Sequence, residues 1–266
     1  MKSRAACGNL SIILDTRNVS WSVMLWWLFH AFIIGHIVFG AVGLVSFWPP
    51  VVGRKGAPVH RKWGRVFTTC LLWTGSFAIG ISLCTLADPL GTHPHLKDAV
   101  FVRGIFGVMM LYLAILTVNL AWYGLQCVRN KRDHAANRRG ANLILQPVLF
   151  VAALACAVEG WLIGQPLMIG MSVVGLATVA TNLAFMLTAN PGPKDWLKEH
   201  LKGLVGAGIS VYTAFFAFGA VRLMPEIALN PVLWAVPLVV GLSIIIYHQV
   251  RIRLSLLPRA RQRAAP

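Results

Sequence analysis

Residues 35–67 read GHIVFGAVGLVSFWPPVVGRKGAPVHRKWGRVF, and the fold turns on how this stretch divides. Its first part closes an apolar run that begins near Trp21 and reaches Pro49-Pro50. A run of that length is enough to cross a bilayer, which needs about 20 apolar residues. Its second part holds Arg54, Lys55, Arg61, Lys62 and Arg65. So many cations keep a short loop on the cytoplasmic side. His36 is thereby expected near mid-membrane and His60 at the inner surface.

The same alternation repeats along the chain. Apolar runs are expected as helices over about 22–48, 66–87, 104–126, 143–163, 167–188, 203–221 and 232–250. The expected fold is all-α, a polytopic membrane bundle of about seven transmembrane helices. Residues 1–21 read as a short polar lead, 22–250 as one transmembrane bundle and 251–266 as a basic cytoplasmic tail. No loop is long enough for a separate soluble domain. Gly164-Gln165-Pro166 leave so short a turn that the helices on either side must be antiparallel neighbours.

Composition agrees with lipid as the solvent. The chain is 57% hydrophobic and 12% charged, where a soluble domain carries about 25% charged residues. The net charge of +16 would suggest nucleic acid in a soluble protein. Here, however, eighteen of the 24 Lys and Arg lie in the loops after the first, third and fifth runs and in the tail. That asymmetry sets orientation, with the N-terminus outside and the C-terminus inside, and no nucleic-acid partner is expected. Tryptophans fall at both sets of run ends, as interfacial belts require. The five cysteines form no CxxC pair and read as small apolar residues.

Lipid offers little hydrophobic drive for helix association, so small residues must supply close packing. Gly203, Gly206, Ser210, Thr213, Ala217 and Ala220 recur at helical spacing in the sixth run. Gly40 and Gly43 in the first, and Gly75, Ala78 and Ser82 in the second, offer similar faces. Such a face either packs a helix or leaves room for a flat ligand.

Ionisable residues inside spans are expensive and mark function by default. The runs hold His30, His36, Glu159 and His248, with the uncharged Asn119, Gln146 and Asn182. The amides and His248 fall in the inner half, with His60 and His200 flanking the same side. This layer suggests an inward-opening pocket. Its candidate cofactor-binding residues are His36, His60, His200 and His248, and its candidate ligand-pocket residues are Asn119, Gln146, Asn182, Arg61 and Arg65.

Four readings of the histidines compete. Each satisfies a hydrogen bond within the bundle, or two ligate haem b, or His60, His134 and His200 hold a metal at the inner surface, or His36 titrates on a proton-coupled path. Haem needs two imidazoles facing one plane, and His248 lies about 13 Å below His36 at helical rise. His93 and His95 make an HxH pair without other obvious ligands, and read as surface decoration. Glu199 and His200 are adjacent on a helix and so diverge. No nucleotide-binding or serine-hydrolase motif is present.

The stretches GHIVFGAVGLVSFW and GAPVHRKWGRVF, with EHLKGLVGAGISVYTAFFAFGA further on, resemble a family of uncharacterised bacterial multi-pass membrane proteins carrying a predicted-membrane domain of unknown function. The resemblance implies a bacterial inner-membrane location and raises His36, His60 and His200 above the other histidines. It implies no activity. The reading that results is an inner-membrane protein binding haem, quinone or a lipid-like ligand for redox work, with anionic lipid headgroups as partners. The alternatives are a small proton-coupled transporter and a structural or accessory subunit.

Overall fold

The computed structural model describes residues 4–219 and 231–256. The described residues are almost entirely helical, with no strand. Seven long helices account for them: α1 Arg4–Val52, α2 Pro58–Ala87, α3 Ala99–Arg129, α4 Gly140–Leu162, α5 Pro166–Leu187, α6 Asp195–Ala214 and α7 Pro231–Leu254. A π-helical turn over Phe215–Gly219 continues α6. Six of the seven are long and apolar enough to cross a membrane, namely all but α6. The first turns of α6 carry Asp195, Lys198, Glu199 and Lys202, and its apolar part begins at Gly203. The expected end of the sixth run at Val221, the turn after it and the tail beyond Leu256 lie outside the described residues.

The expected boundaries move at the N-terminal end. α1 begins at Arg4, ahead of the start expected for the first run near residue 22. Pro49 and Pro50 do not stop the helix where they stand. They occupy its last turn, and the open carbonyls at that end find donors. Gly53 N–H donates to the Pro49 carbonyl at 3.0 Å. Lys55 Nζ donates to the carbonyls of Pro50 and Val51, placing a cation at the negative end of the helix. Gly56 turns the chain back with φ +76°, and Pro58 opens α2 at a position where its missing N–H costs nothing.

The short turn after α4 behaves as its length demands. Gly164 has φ +67°, and Gln165 N–H reaches back to the Gly160 carbonyl at 2.7 Å, a Schellman ending. α4 and α5 then pack antiparallel, with Gly160 against Met168.

The small-residue faces pack helices. Gly203 on α6 lies on Gly124 of α3 so closely that a Cβ there would stand 2.7 Å from the Gly124 Cα. Two turns further along, Ser210 Oγ and Thr117 Oγ1 hydrogen-bond at 2.6 Å across the same interface. Gly43 meets Leu71, Gly40 meets Thr74, and Gly75 meets Val118. α3 is therefore the central helix, touching α2, α4 and α6. The main core gathers around its Tyr112, Leu116, Leu120 and Ala121.

Candidate functional site

The histidines share one local geometry and occupy different places. His36 on α1 directs Nδ1 to the Thr74 carbonyl of α2 at 3.1 Å. His60, in the first turn of α2, directs Nδ1 to the Pro50 carbonyl at 3.1 Å. His200 on α6 directs Nδ1 to the Gly124 carbonyl of α3 at 2.8 Å. A carbonyl only accepts, so in each ring Nδ1 carries a proton and Nε2 is the nitrogen left for another partner. A ring fixed by a main-chain carbonyl on one nitrogen, with the other bare, is the arrangement in which histidines ligate metals.

The three do not form one cluster. Thr74 stands fourteen residues beyond His60 on α2, about 21 Å at helical rise, which separates His36 from His60 by that order. His60 in the first turn of α2 and His200 in the second turn of α6 lie on helices that touch. His200 precedes the apolar part of α6. Burial holds its imidazole below the usual histidine value, the Gly124 hydrogen bond opposes this, and His60 adds to the lowering. His248, on α7, lines a basic groove with Lys55 and Arg251. Arg61 and Arg65 lie exposed beside His60 on α2, with Arg65 Nε donating to the Arg61 carbonyl at 3.3 Å.

The remaining histidines have bland settings. His30 stacks on Trp26 at 3.9 Å between ring centroids and bonds to the Trp26 carbonyl. His93 is more than surface decoration, since its ring lies 4.6 Å from that of Phe106 and 5.8 Å from that of Phe29. It ties the loop between α2 and α3 to the bundle, and burial with its neighbour His95 lowers its pKa. His134 sits against Phe185. Among the described residues, no three His, Cys, Asp or Glu side chains gather as a metal site would require.

The three amides come together and bond to one another. Asn119 Nδ2 donates to the Leu145 carbonyl and Gln146 Nε2 to the Asn142 carbonyl, both at 3.0 Å. With their donors so committed, both amide oxygens turn to Asn182, whose Nδ2 donates to Asn119 Oδ1 at 3.1 Å and Gln146 Oε1 at 3.2 Å. The chain extends through Asn142 Nδ2 to the Asn137 carbonyl at 2.8 Å. All of these residues are buried, so the cluster ties α3, α4 and α5 at one depth. Asn182→Leu leaves two buried acceptors without a donor, at about 1–3 kcal/mol. Interhelical hydrogen bonds in membranes average nearer 0.6 kcal/mol. The expected loss is therefore about 1–2 kcal/mol in reversible unfolding in mixed micelles, and an unchanged midpoint would contradict it.

One turn inward on α3 lies a charged group that the sequence pattern did not disclose. Tyr123 Oη donates to Glu199 Oε2 at 2.6 Å. Lys202 Nζ ion-pairs with the same oxygen and donates to Thr181 Oγ1 at 3.2 Å. Glu199 and His200 do diverge, as adjacent helical residues must, yet they grip the adjacent residues Tyr123 and Gly124 of α3. The sequence signals were the stripe Asn119, Tyr123, Cys127 at four-residue spacing on α3 and the Glu199, Lys202 pair three apart on α6.

Fold and site together define a multi-pass helical membrane protein with a carboxylate–lysine–tyrosine group where α3 and α6 meet. No protein-family model, no curated protein and no solved structure matches the chain, so the resemblance stated for GHIVFGAVGLVSFW and GAPVHRKWGRVF rests on those stretches alone.

Proposed function

We propose that this protein is a bacterial inner-membrane redox protein that binds haem b through His60 and His200. The observation that carries the reading is the shared anchoring of the two rings. Each donates Nδ1–H to a main-chain carbonyl, so Nε2 is the nitrogen each would offer to a metal, and they come from different helices, α2 and α6. Haem supplies one-electron chemistry when bound. The chain's part would be to hold the imidazoles oriented, with Arg61 and Arg65 exposed on the same helix as His60 to meet the propionates. A quinone in the adjacent lipid is a chemically suitable electron partner.

The test is an optical spectrum of the purified protein, oxidised and dithionite-reduced, with a pyridine haemochrome assay. A sharp reduced band at near-stoichiometric haem supports the reading. A featureless spectrum from folded protein expressed with haem supplied overturns it.

The pH dependence follows in sign. Burial depresses the His200 pKa in the fold, so its stabilising contribution is fully present above the ordinary histidine value of about 6.5. It is lost as pH falls from there through the lowered value. Thermal stability of the cofactor-free protein is expected to decline as pH falls below about 6.5, and His200→Gln should flatten that decline. An equal slope in both proteins counts against it.

A second reading has its own observation. Glu199, Lys202 and Tyr123 form a hydrogen-bonded acid–base group beside the histidines, which suits a small proton-coupled carrier. pH-driven flux into proteoliposomes that is lost in Glu199→Gln, with no visible absorbance, would favour it over the haem reading.

A further inference from the structure

The charge-rich end of the bundle carries a second feature, away from the interface that holds His200. A groove of about 550 Å³ runs between the end of α1, the turn after it, the start of α6 and the last turns of α7. Arg54, Lys55, Lys194 and Arg251 line it, with His248 between them, and no carboxylate does. Asp195, next in sequence to Lys194, is held by Lys198 and by Gly192 N–H. Lys55 is committed to the end carbonyls of α1, and Lys194 Nζ donates to Ser255 Oγ at 2.8 Å. Arg251 gives one nitrogen to Tyr247 Oη at 3.2 Å. Most of its fork, and the Arg54 guanidinium, remain for an anion, and guanidinium groups match phosphate in both shape and charge.

An apolar cleft of about 690 Å³ adjoins the groove, and the two share Val52 and Gly53. Leu44, Val45, Trp48 and Pro49 form its wall along the inner third of α1, with Tyr212 of α6 opposite. The polar atoms at its edge are satisfied: Trp48 Nε1 donates to Tyr212 Oη at 2.7 Å, and Tyr212 Oη donates to the Leu44 carbonyl at 2.8 Å. The wall therefore presents hydrocarbon. A cationic groove at the membrane surface, continuous with an apolar cleft at lipid depth, has the polarity of one kind of molecule.

We infer that this is a binding site for an anionic phospholipid, with the phosphate between Arg54 and Arg251 and an acyl chain along Val45 and Trp48. Basic pockets between helices on the cytoplasmic side are a recurrent form of lipid headgroup recognition. The site is independent of the His60–His200 pair.

The test uses the full-length protein, delipidated in detergent and offered dioleoyl phosphatidylglycerol or dioleoyl phosphatidylcholine, with retained lipid counted by native mass spectrometry. Phosphatidylglycerol is expected to be retained at about one per protein, at least tenfold above phosphatidylcholine. Arg54→Gln with Arg251→Gln should remove that preference. Arg138→Gln with Arg139→Gln, an equal loss of charge on the same side, should keep it. Val45→Trp, which fills the cleft from its lipid-facing side, should lower retention without altering binding of inorganic phosphate. Equal retention of both lipids, equal loss in both arginine pairs, or full retention in Val45→Trp would each overturn the inference. A thermal melt of each variant separates lost lipid from lost fold.

Discussion

His200→Gln is expected to lower bound haem at least tenfold, and His60→Ala to do the same, while His36→Ala leaves the reduced spectrum in place. The size would follow from ligation: were haem held by these two imidazoles, losing one would remove half of the protein's ligands to it. Glutamine is the informative replacement at position 200. Its amide still offers an N–H to the Gly124 carbonyl, which His200 engages at 2.8 Å, so the α3–α6 contact persists while the imidazole is gone. His60→Ala also frees the Pro50 carbonyl at the end of α1, but Lys55 still donates to it. His36 is the control because its ring is pinned at Thr74, about 21 Å along α2 from His60. The checks are the reduced-minus-oxidised spectrum and the haem-to-protein ratio of each variant. Full haem in His200→Gln, or loss only in His36→Ala, would sink the His60–His200 assignment.

Gly203→Leu should destabilise the bundle by about 3 kcal/mol or more, enough to reduce the yield of folded protein sharply. A Cβ at this position would lie 2.7 Å from Gly124 Cα, 2.8 Å from Gly124 N and 2.9 Å from the Leu120 carbonyl oxygen. All three are backbone atoms, so no rotamer change relieves the clash and α3 must separate from α6. Separation breaks the His200 contact to Gly124 and the Thr117–Ser210 hydrogen bond, and it moves Glu199 from Tyr123. Gly206 provides the contrast. A Cβ there meets only the Leu120 side chain, at 3.4 Å, so Gly206→Ala should fall within about 0.5 kcal/mol of the parent. The two variants are compared by unfolding in mixed micelles and by size-exclusion profile. Equal behaviour would show that the close approach at Gly203 is not what holds α3 to α6.

Much of the architecture was legible because lipid imposes simple rules. Length and apolarity of the runs at 22–48, 66–87, 104–126, 143–163, 167–188 and 232–250 forecast helices that exist, and the three-residue link at Gly164 forecast an antiparallel pair. What misled was local: Pro49 and Pro50 look like a stop, yet they form the last turn of α1, whose end carbonyls take donors from Gly53, Lys55 and His60. The candidate site was legible only as an inventory. Depth along a helix can be counted, so the convergence of Asn119, Gln146 and Asn182 on one layer could be anticipated. Which faces oppose one another cannot be counted. The partners of those amides, and of Glu199, depend on the rotation of each helix about its own axis.

By itself the sequence determined the class of molecule, because apolar run length and the placement of eighteen cations depend on the solvent rather than on packing. It also named the histidines. Only the tertiary structure decided which carbonyl each of His36, His60 and His200 engages. Only it showed that Asn182 donates to both Asn119 and Gln146, that Glu199 belongs to Tyr123 and Lys202, and that Arg54 and Arg251 face one groove from opposite ends of the chain. Those outcomes rest on helix rotation and on how closely α3 and α6 approach at Gly124 and Gly203, and a linear pattern of residues carries neither.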